Sequence, residues 1–221
     1  MATKFTHAAA TRPVIERTTP DDVINLATDS ATAPMQVGAV LILDSGPDFD
    51  FTAARNVLAR RISTVPRMRQ RLRQAPFGCG RPIWVDDSRF DPDDHIRVKR
   101  CPAPGDLAAV LGVAASLIER RLDRTRPLWS ATFITGLASG QTAIILLFHH
   151  VMTDGIGGLA VLANLVDGTK GIAGPPDIWL PRPARGAGAL LADAWRAATS
   201  NACRERATSS HLSFVCSAAS I

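Results

Sequence analysis

Two apolar runs close together in the sequence carry the clearest pattern in the chain. They are LWSATFITGL, Leu128 to Leu137, and TAIILLFHHV, Thr142 to Val151, and only four residues separate them. Each run has the length and composition of a buried strand, and the short connection predicts an antiparallel hairpin. MQVGAVLILD, Met35 to Asp44, predicts a third buried strand, which ends at the turn residues that follow it.

Segments with helical periodicity and shorter predicted strands lie before, between and after these runs. The segments PIWVDD and HIRVKR predict two short strands, and Ile96 and Val98 fall on one face of the second. Four helices are predicted: one starting at Thr19-Pro20-Asp21-Asp22, one at about Thr52 to Ser63, the strongest at Leu107 to Leu122, and one at Gly155 to Asp167. The pattern therefore predicts an α/β fold, a mixed sheet with flanking helices.

The character of the sequence changes after Asp167. We expect residues 1–168 to form the folded unit and residues 169–188, which are rich in glycine and proline, to form a linker. Residues 189–221 contain one possible helix, ALLADAWRAATS, followed by a polar, irregular tail.

Composition narrows the class of protein. The chain has 221 residues, 46% hydrophobic and 20% charged, as in ordinary globular proteins, and its net charge of +5 is carried mainly by arginine. Aromatic residues make up only 5% and tyrosine is absent, which argues against a surface for stacking nucleic-acid bases. The four cysteines form no C-x-x-C pair, which argues against a zinc ribbon or a disulfide scaffold and suits a reducing compartment.

No segment has the length of a signal peptide core or a membrane helix. The longest strongly apolar run, Ala143 to Phe148, is far shorter than the roughly 20 residues a membrane helix needs. We therefore expect a cytoplasmic protein that contacts a membrane, if at all, only at its surface.

Candidate chemistry is concentrated in LLFHHVMTDGIGG, where two histidines end the second apolar run. Neighbouring residues of a strand point to opposite faces, so His149 and His150 should not reach the same substrate atom. One is therefore a candidate general base and the other a structural residue. Asp154 can cap the following helix or form an ion pair, and Gly155 allows a ligand to approach the backbone closely.

Other kinds of site fit this segment less well. The spacing H-x-x-x-H is absent, so no metal site is expected, and Cys203, His211 and Cys216 lie in too irregular a tail to suggest one. GLASG displaces its serine from the G-x-S-x-G pattern, and GIGGLA lacks the second strand and acid of a dinucleotide site. Residue chemistry alone leaves two interpretations open: a catalytic base, or a core strand whose histidines are satisfied by hydrogen bonds.

The segment His149 to Gly155 matches the pattern H-H-x-x-x-D-G. It resembles CoA-dependent acyltransferases related to chloramphenicol acetyltransferase and to peptide-synthetase condensation domains. PMQVGAVLILD, PRMRQRL, PIWVDD, HIRVKR and LDRTRPLW follow one another in an order that is similar to the bacterial wax ester synthase/diacylglycerol acyltransferase (WS/DGAT) family. The resemblance covers residues 19–168 and implies a chloramphenicol acetyltransferase-like half-domain.

The resemblance implies that His150 is the general base, which takes the proton of an acceptor hydroxyl as it attacks the thioester of acyl-CoA. His149 and Asp154 would be structural, and Gly155 would leave room beside the base. The PLW element, Pro127, Leu128 and Trp129, would lie near the substrate, although Trp129 fits a core position better. Acyl-CoA would be a co-substrate, with no bound cofactor, and the acceptor would be diacylglycerol or a long-chain alcohol.

Two further features concern arginines. The arginines of PRMRQRLR alternate, so on a strand they would form a basic stripe facing CoA phosphates or anionic lipid, or simply a solvated face. Arg126 is one of the arginines that end the predicted long helix, where cations suit the helix dipole, and it is also a candidate partner for Asp154. Ser130 follows PLW where an acidic residue is expected.

Members of this family are about twice as long and contain two half-domains. The sequence is therefore interpreted as an N-terminal half whose tail, from about Ser200, reflects truncation or an out-of-frame ending. Such a chain would act with a separately encoded second half or by self-association. The alternative is a catalytically silent fragment that binds lipid or the second half.

Overall fold

The computed structural model describes residues 15–46, 49–76, 79–152 and 179–199. The helices are α1 (Pro20–Thr28), α2 (Phe51–Ser63) and α3 (Leu107–Ile118), and residues 187–199 are also helical. The strands are β1 (Gln36–Leu43), β2 (Gln70–Arg73), β3 (Ile83–Asp86), β4 (Ile96–Arg100), β5 (Trp129–Thr135) and β6 (Thr142–His149). Short 3₁₀ turns occupy Pro66–Arg69, Pro92–Asp94 and His150–Met152.

Four strands form the main sheet in the order β1-β6-β5-β4. Strand β6 pairs antiparallel with both β1 and β5, whereas β4 pairs parallel with β5, so the sheet is mixed. The predicted hairpin is β5–β6, with Trp129 opposite Phe148. Strands β2 and β3 form a separate antiparallel pair. The mixed α/β architecture and the hairpin are confirmed.

Strand β6 is buried along its whole length because helices cover both faces of the sheet. On one face, Ile144 and Leu146 pack with Ile62 of α2. On the other face, Ile145 packs with Val110 of α3. Burial on both faces explains why this strand is a continuous apolar run without alternating polar residues.

Helix starts follow the predicted signals, but α3 ends earlier than predicted. Thr19 and Asp22 form a capping box at the start of α1. Helix α3 ends at Ile118, and the prediction of a helix as far as Leu122 is wrong. The Gln36 side-chain amide donates to the carbonyl of Ile118, 2.7 Å away, which satisfies an acceptor at the helix end. Leu122 instead packs beside Leu128 in a separate cluster.

The predicted basic stripe is also wrong. Pro66 begins a 3₁₀ turn that holds Arg67 and Arg69, so only Arg71 and Arg73 lie on a strand and the four arginines do not form one stripe. Arg67 lies over Trp84, 4.0 Å from the ring centre, and Arg69 lies over Trp179 at 4.7 Å. The arginines therefore have separate partners.

The helix at 187–199 packs against the rest of the described chain. Leu190 is fully buried among Cys79, Ile83 and Val85. Asp193 forms an ion pair with Arg17, with 2.8 Å between Oδ2 and Nη2. The prediction of a last helix is confirmed, while the predicted helix at 155–167 and the first half of the predicted linker, residues 169–178, lie outside the described residues.

Candidate active site

His149 and His150 are adjacent in sequence but lie in opposite environments. His149 is the last residue of β6 and is only 1% exposed, whereas His150 begins the following turn and is exposed. The difference in burial agrees with the expectation that the two side chains do not share one face, although His150 lies in the turn and not in the strand. Of the two histidines, only His150 is exposed to solvent.

The imidazole of His149 is held from both sides. Its Nδ1 accepts a hydrogen bond from the backbone N–H of Val151 at 3.1 Å, which places the ring proton on Nε2. Nε2 lies 3.5 Å from Oδ2 of Asp29, an ion-pair distance without hydrogen-bond geometry, so this contact is electrostatic. Burial lowers the pKa of His149, although the Asp29 carboxylate opposes that effect. His149 is therefore a neutral structural side chain.

Asp29 follows the last residue of α1, and its side chain is only 3% exposed. It accepts a hydrogen bond from the Met35 N–H at 2.9 Å and from Arg121 and Arg124 at 2.9 and 2.6 Å. Burial by itself raises the pKa of this carboxyl, but these donors outweigh burial and lower the pKa to about 2. Asp29 is therefore ionised at neutral pH, at the centre of an ion-pair cluster.

The backbone on either side of the histidines is fixed by hydrogen bonds to two other segments. The N–H of His149 donates to the Leu128 carbonyl at 2.9 Å, and the N–H of His150 donates to the Met35 carbonyl at 2.8 Å. The second contact joins the end of β6 to the residue just before β1. The main chain that carries His150 is therefore held at its own amide and at its neighbours.

The PLW residues Pro127, Leu128 and Trp129 are all buried. Trp129 is 1% exposed, and its Nε1–H donates to the Met68 carbonyl at 2.8 Å. Its ring stacks on His95 with 4.4 Å between ring centres, and burial lowers the pKa of that histidine. These contacts give the PLW element a packing role, and its part in substrate binding stays a prediction.

Sequence reasoning did not find Asp29 or His95. Asp29 is a helix-end aspartate like many others, and its arginine partners lie more than 90 residues away in the sequence. The only signal for His95 was its position directly before a short alternating strand.

Some predicted features lie beyond the described residues. Asp154 and Gly155 belong to this group, so their predicted roles stay predictions. Arg126, the predicted partner of Asp154, forms ion pairs with Asp94 and Asp123 within the described part. Across residues 15–46, 49–76, 79–152 and 179–199, no metal-ligand cluster of three or more His, Cys, Asp or Glu is present. In the same ranges, no helix combines the length and the apolar character needed to cross a bilayer.

Comparison with known proteins identifies the family. The sequence profile described as the wax ester synthase/diacylglycerol acyltransferase catalytic domain matches residues 19–215. The chain belongs to this WS/DGAT family. The resemblance inferred from the sequence is therefore confirmed.

Curated WS/DGAT relatives are longer than the region they share with this chain. "Probable diacyglycerol O-acyltransferase tgs1" of Mycobacterium tuberculosis is 41% identical over 133 residues, which are 60% of this chain and 28% of that protein. "Probable diacyglycerol O-acyltransferase tgs3" of the same organism is 31% identical over 180 residues, covering 80% of this chain and 66% of that protein. The chain thus spans from about a quarter to two thirds of these relatives.

Solved structures agree with the WS/DGAT assignment. The wax ester synthase/diacylglycerol acyltransferase of Marinobacter aquaeolei VT8 is 28% identical with a TM-score of 0.57, over 66% of this chain and 35% of that chain. The first condensation domain of the calcium-dependent antibiotic synthetase is 17% identical with a TM-score of 0.55, over 69% of this chain and 37% of that one. The second likeness concerns the fold alone, and both agree with the chloramphenicol acetyltransferase-like fold class inferred from the sequence.

Proposed function

We propose that this chain carries the base-bearing half of an acyl-CoA-dependent O-acyltransferase, with His150 as the general base. The observation that supports this proposal best is the contrast between the two histidines. His149 is buried and neutral, with both ring nitrogens facing protein groups, whereas His150 is exposed on a turn whose backbone is hydrogen-bonded. A rigid backbone below an accessible imidazole suits a positioned base.

The proposed reaction is a direct acyl transfer. The His150 imidazole takes the proton of the acceptor hydroxyl while the hydroxyl oxygen attacks the thioester carbonyl. The tetrahedral intermediate then collapses, the bond from carbon to sulfur breaks, and the CoA sulfur receives the proton from the imidazolium. An ester and free CoA result without an acyl-enzyme. Base catalysis of this kind contributes about 10²–10⁴-fold to the rate.

The proposed substrates are a long-chain acyl-CoA and either diacylglycerol or a long-chain alcohol. Diacylglycerol is supported by the names of the mycobacterial relatives, and a wax ester product by the name of the Marinobacter protein. Asp154 is proposed to support the loop, and Gly155 to leave space beside the base.

The site also needs donors for the carbonyl oxygen and a wall that excludes water. Since the chain spans 35% of the Marinobacter protein, we propose that a second half-domain or a second copy of the chain supplies these elements. Contact with a membrane or a lipid droplet would be peripheral.

The test measures CoA thiol release from a long-chain acyl-CoA, with and without diacylglycerol or a fatty alcohol, and identifies the ester by mass spectrometry. The chain is assayed alone and mixed with a second half-domain of the same family. Thiol release that requires an acceptor and yields the matching ester supports the proposal. Binding of acyl-CoA without ester formation in any mixture would favour the silent lipid-binding fragment instead.

A further inference from the structure

Asp29 lies at the meeting point of two contact paths that reach the backbone of the candidate base. In the first path, Oδ1 of Asp29 accepts the Met35 N–H at 2.9 Å, and the carbonyl of Met35 accepts the His150 N–H at 2.8 Å. One residue, Met35, thus connects the carboxylate to the amide of His150.

The second path runs through the buried histidine. Oδ2 of Asp29 lies 3.5 Å from Nε2 of His149, and Nδ1 of that ring accepts the Val151 N–H at 3.1 Å. A carboxylate facing Nε2 favours the tautomer with its proton there and leaves Nδ1 free to accept. The second path therefore fixes the amide on the other side of His150.

The carboxylate of Asp29 is also shared by two arginines. Oδ2 of Asp29 lies 2.9 Å from Nη2 of Arg121 and 2.6 Å from Nη2 of Arg124. With the carboxylate neutralised, two guanidinium groups would lie close together beside a buried neutral imidazole. The segment from Asp29 to Met35, to which the first path is attached, would then lose the ion pairs that tie it to Arg121 and Arg124.

We propose that Asp29 is a positioning residue of the active site, whose carboxylate holds the main chain on both sides of His150. It acts through Met35 and His149 and does not touch the substrate. The consequence for turnover rests on the function proposed above, whereas the consequence for the backbone does not depend on it.

The first experiment compares amide hydrogen exchange in Asp29→Asn and in Asp93→Asn, which makes the same charge change at an exposed ion pair with Arg55. In Asp29→Asn, we expect the His150 and Val151 amides to exchange about tenfold faster, the effect of losing roughly one hydrogen bond.

The amide of Ala131, which donates to the His95 carbonyl, should keep its exchange rate, and Asp93→Asn should change none of the three rates. Unchanged rates at residues 150 and 151, or an equal rise at Ala131, would overturn the proposal.

A second measurement uses the unaltered protein, so it does not depend on whether a variant folds. Nitrogen-15 spectra of the labelled histidines should show His149 as the neutral tautomer protonated at Nε2. A proton on Nδ1 would remove the second path and overturn the proposal.

Kinetics then connects the contact paths to the reaction. In whichever assembly turns over, Asp29→Asn should lower kcat about 10- to 100-fold, as expected for misplacement of a catalytic group, and change KM for acyl-CoA less than about twofold. Asp29→Glu should restore part of kcat, since it keeps the charge. A kcat equal to that of wild type in Asp29→Asn would contradict the proposal. If no assembly turns over but the exchange and tautomer results hold, the proposed function fails and the positioning of the backbone stands.

Discussion

Trp129, the residue of the PLW element that was expected in the core, lies there and is only 1% exposed. We consider the substitution Trp129→Phe. It removes the Nε1–H that donates to the Met68 carbonyl at 2.8 Å and part of a ring that is 1% exposed. The phenyl ring keeps part of the stacking with His95.

The expected loss of stability has two parts. Leaving a buried carbonyl without its donor costs about 1–3 kcal/mol. The volume lost from tryptophan to phenylalanine, about 40 Å³, adds about 1 kcal/mol at roughly 24 cal/mol per Å³ of cavity. We therefore expect Trp129→Phe to lower the free energy of unfolding by about 2–4 kcal/mol.

Urea denaturation followed by circular dichroism measures this loss. Trp195→Phe is the matched control, since Trp195 is 72% exposed on the terminal helix and its loss should stay within about 0.5 kcal/mol. The midpoint of Trp129→Phe should fall without a change in the slope of the transition. If both variants unfold within about 0.5 kcal/mol of each other, Trp129 is not the core residue described here.

Three further outcomes follow from the contacts. The pKa values of Asp29 and Asp86 are both about 2, below the ordinary value of 3.8. Each carboxylate therefore stabilises the fold above about pH 4, and about 2 kcal/mol per group should be lost as the pH falls through 2. In urea titrations at different pH values, Asp86→Asn should reduce that loss. Burial lowers the pKa of His95, so stability should be full above pH 6.5 and fall below it, which thermal melts at pH 7 and 5 would show. Gly105 has φ +79°, and a methyl group added there would lie 3.0 Å from backbone atoms, whereas at Gly46, φ +62°, no described atom lies within 4 Å. Gly105→Ala should therefore lower the free energy of unfolding by at least about 1 kcal/mol more than Gly46→Ala does. Equal melting curves for the two variants would contradict this.

The strands of the main sheet could be predicted because the local pattern of apolar residues indicates their burial. The run from Thr142 is buried on both faces and therefore uniformly apolar, and a short polar connection separates it from β5. The edge strand β4 was harder to interpret. Its Ile96 is buried but Val98 is 46% exposed, because β4 pairs with β5 alone and its far end lies at the surface.

The end of α3 and the course of the arginines depended on contacts that no local pattern encodes. The Gln36 side chain is bonded to the end of α3, 82 residues away in the sequence. Arg67 and Arg69 lie in a 3₁₀ turn, and each packs over a different tryptophan ring. Asp29 is the clearest case. The motif identified His149 and His150, but the carboxylate near His149 is that of Asp29, which lies at the end of α1 and is not part of the motif.

The most direct test of the central claim is the rate of acyl transfer by His150→Ala, in the assembly that turns over. Because His150 is exposed, this variant should melt within about 2 °C of wild type, while kcat falls at least about 100-fold with both substrates saturating. Transfer by a folded His150→Ala protein at a rate within a few-fold of wild type would show that another group is the base.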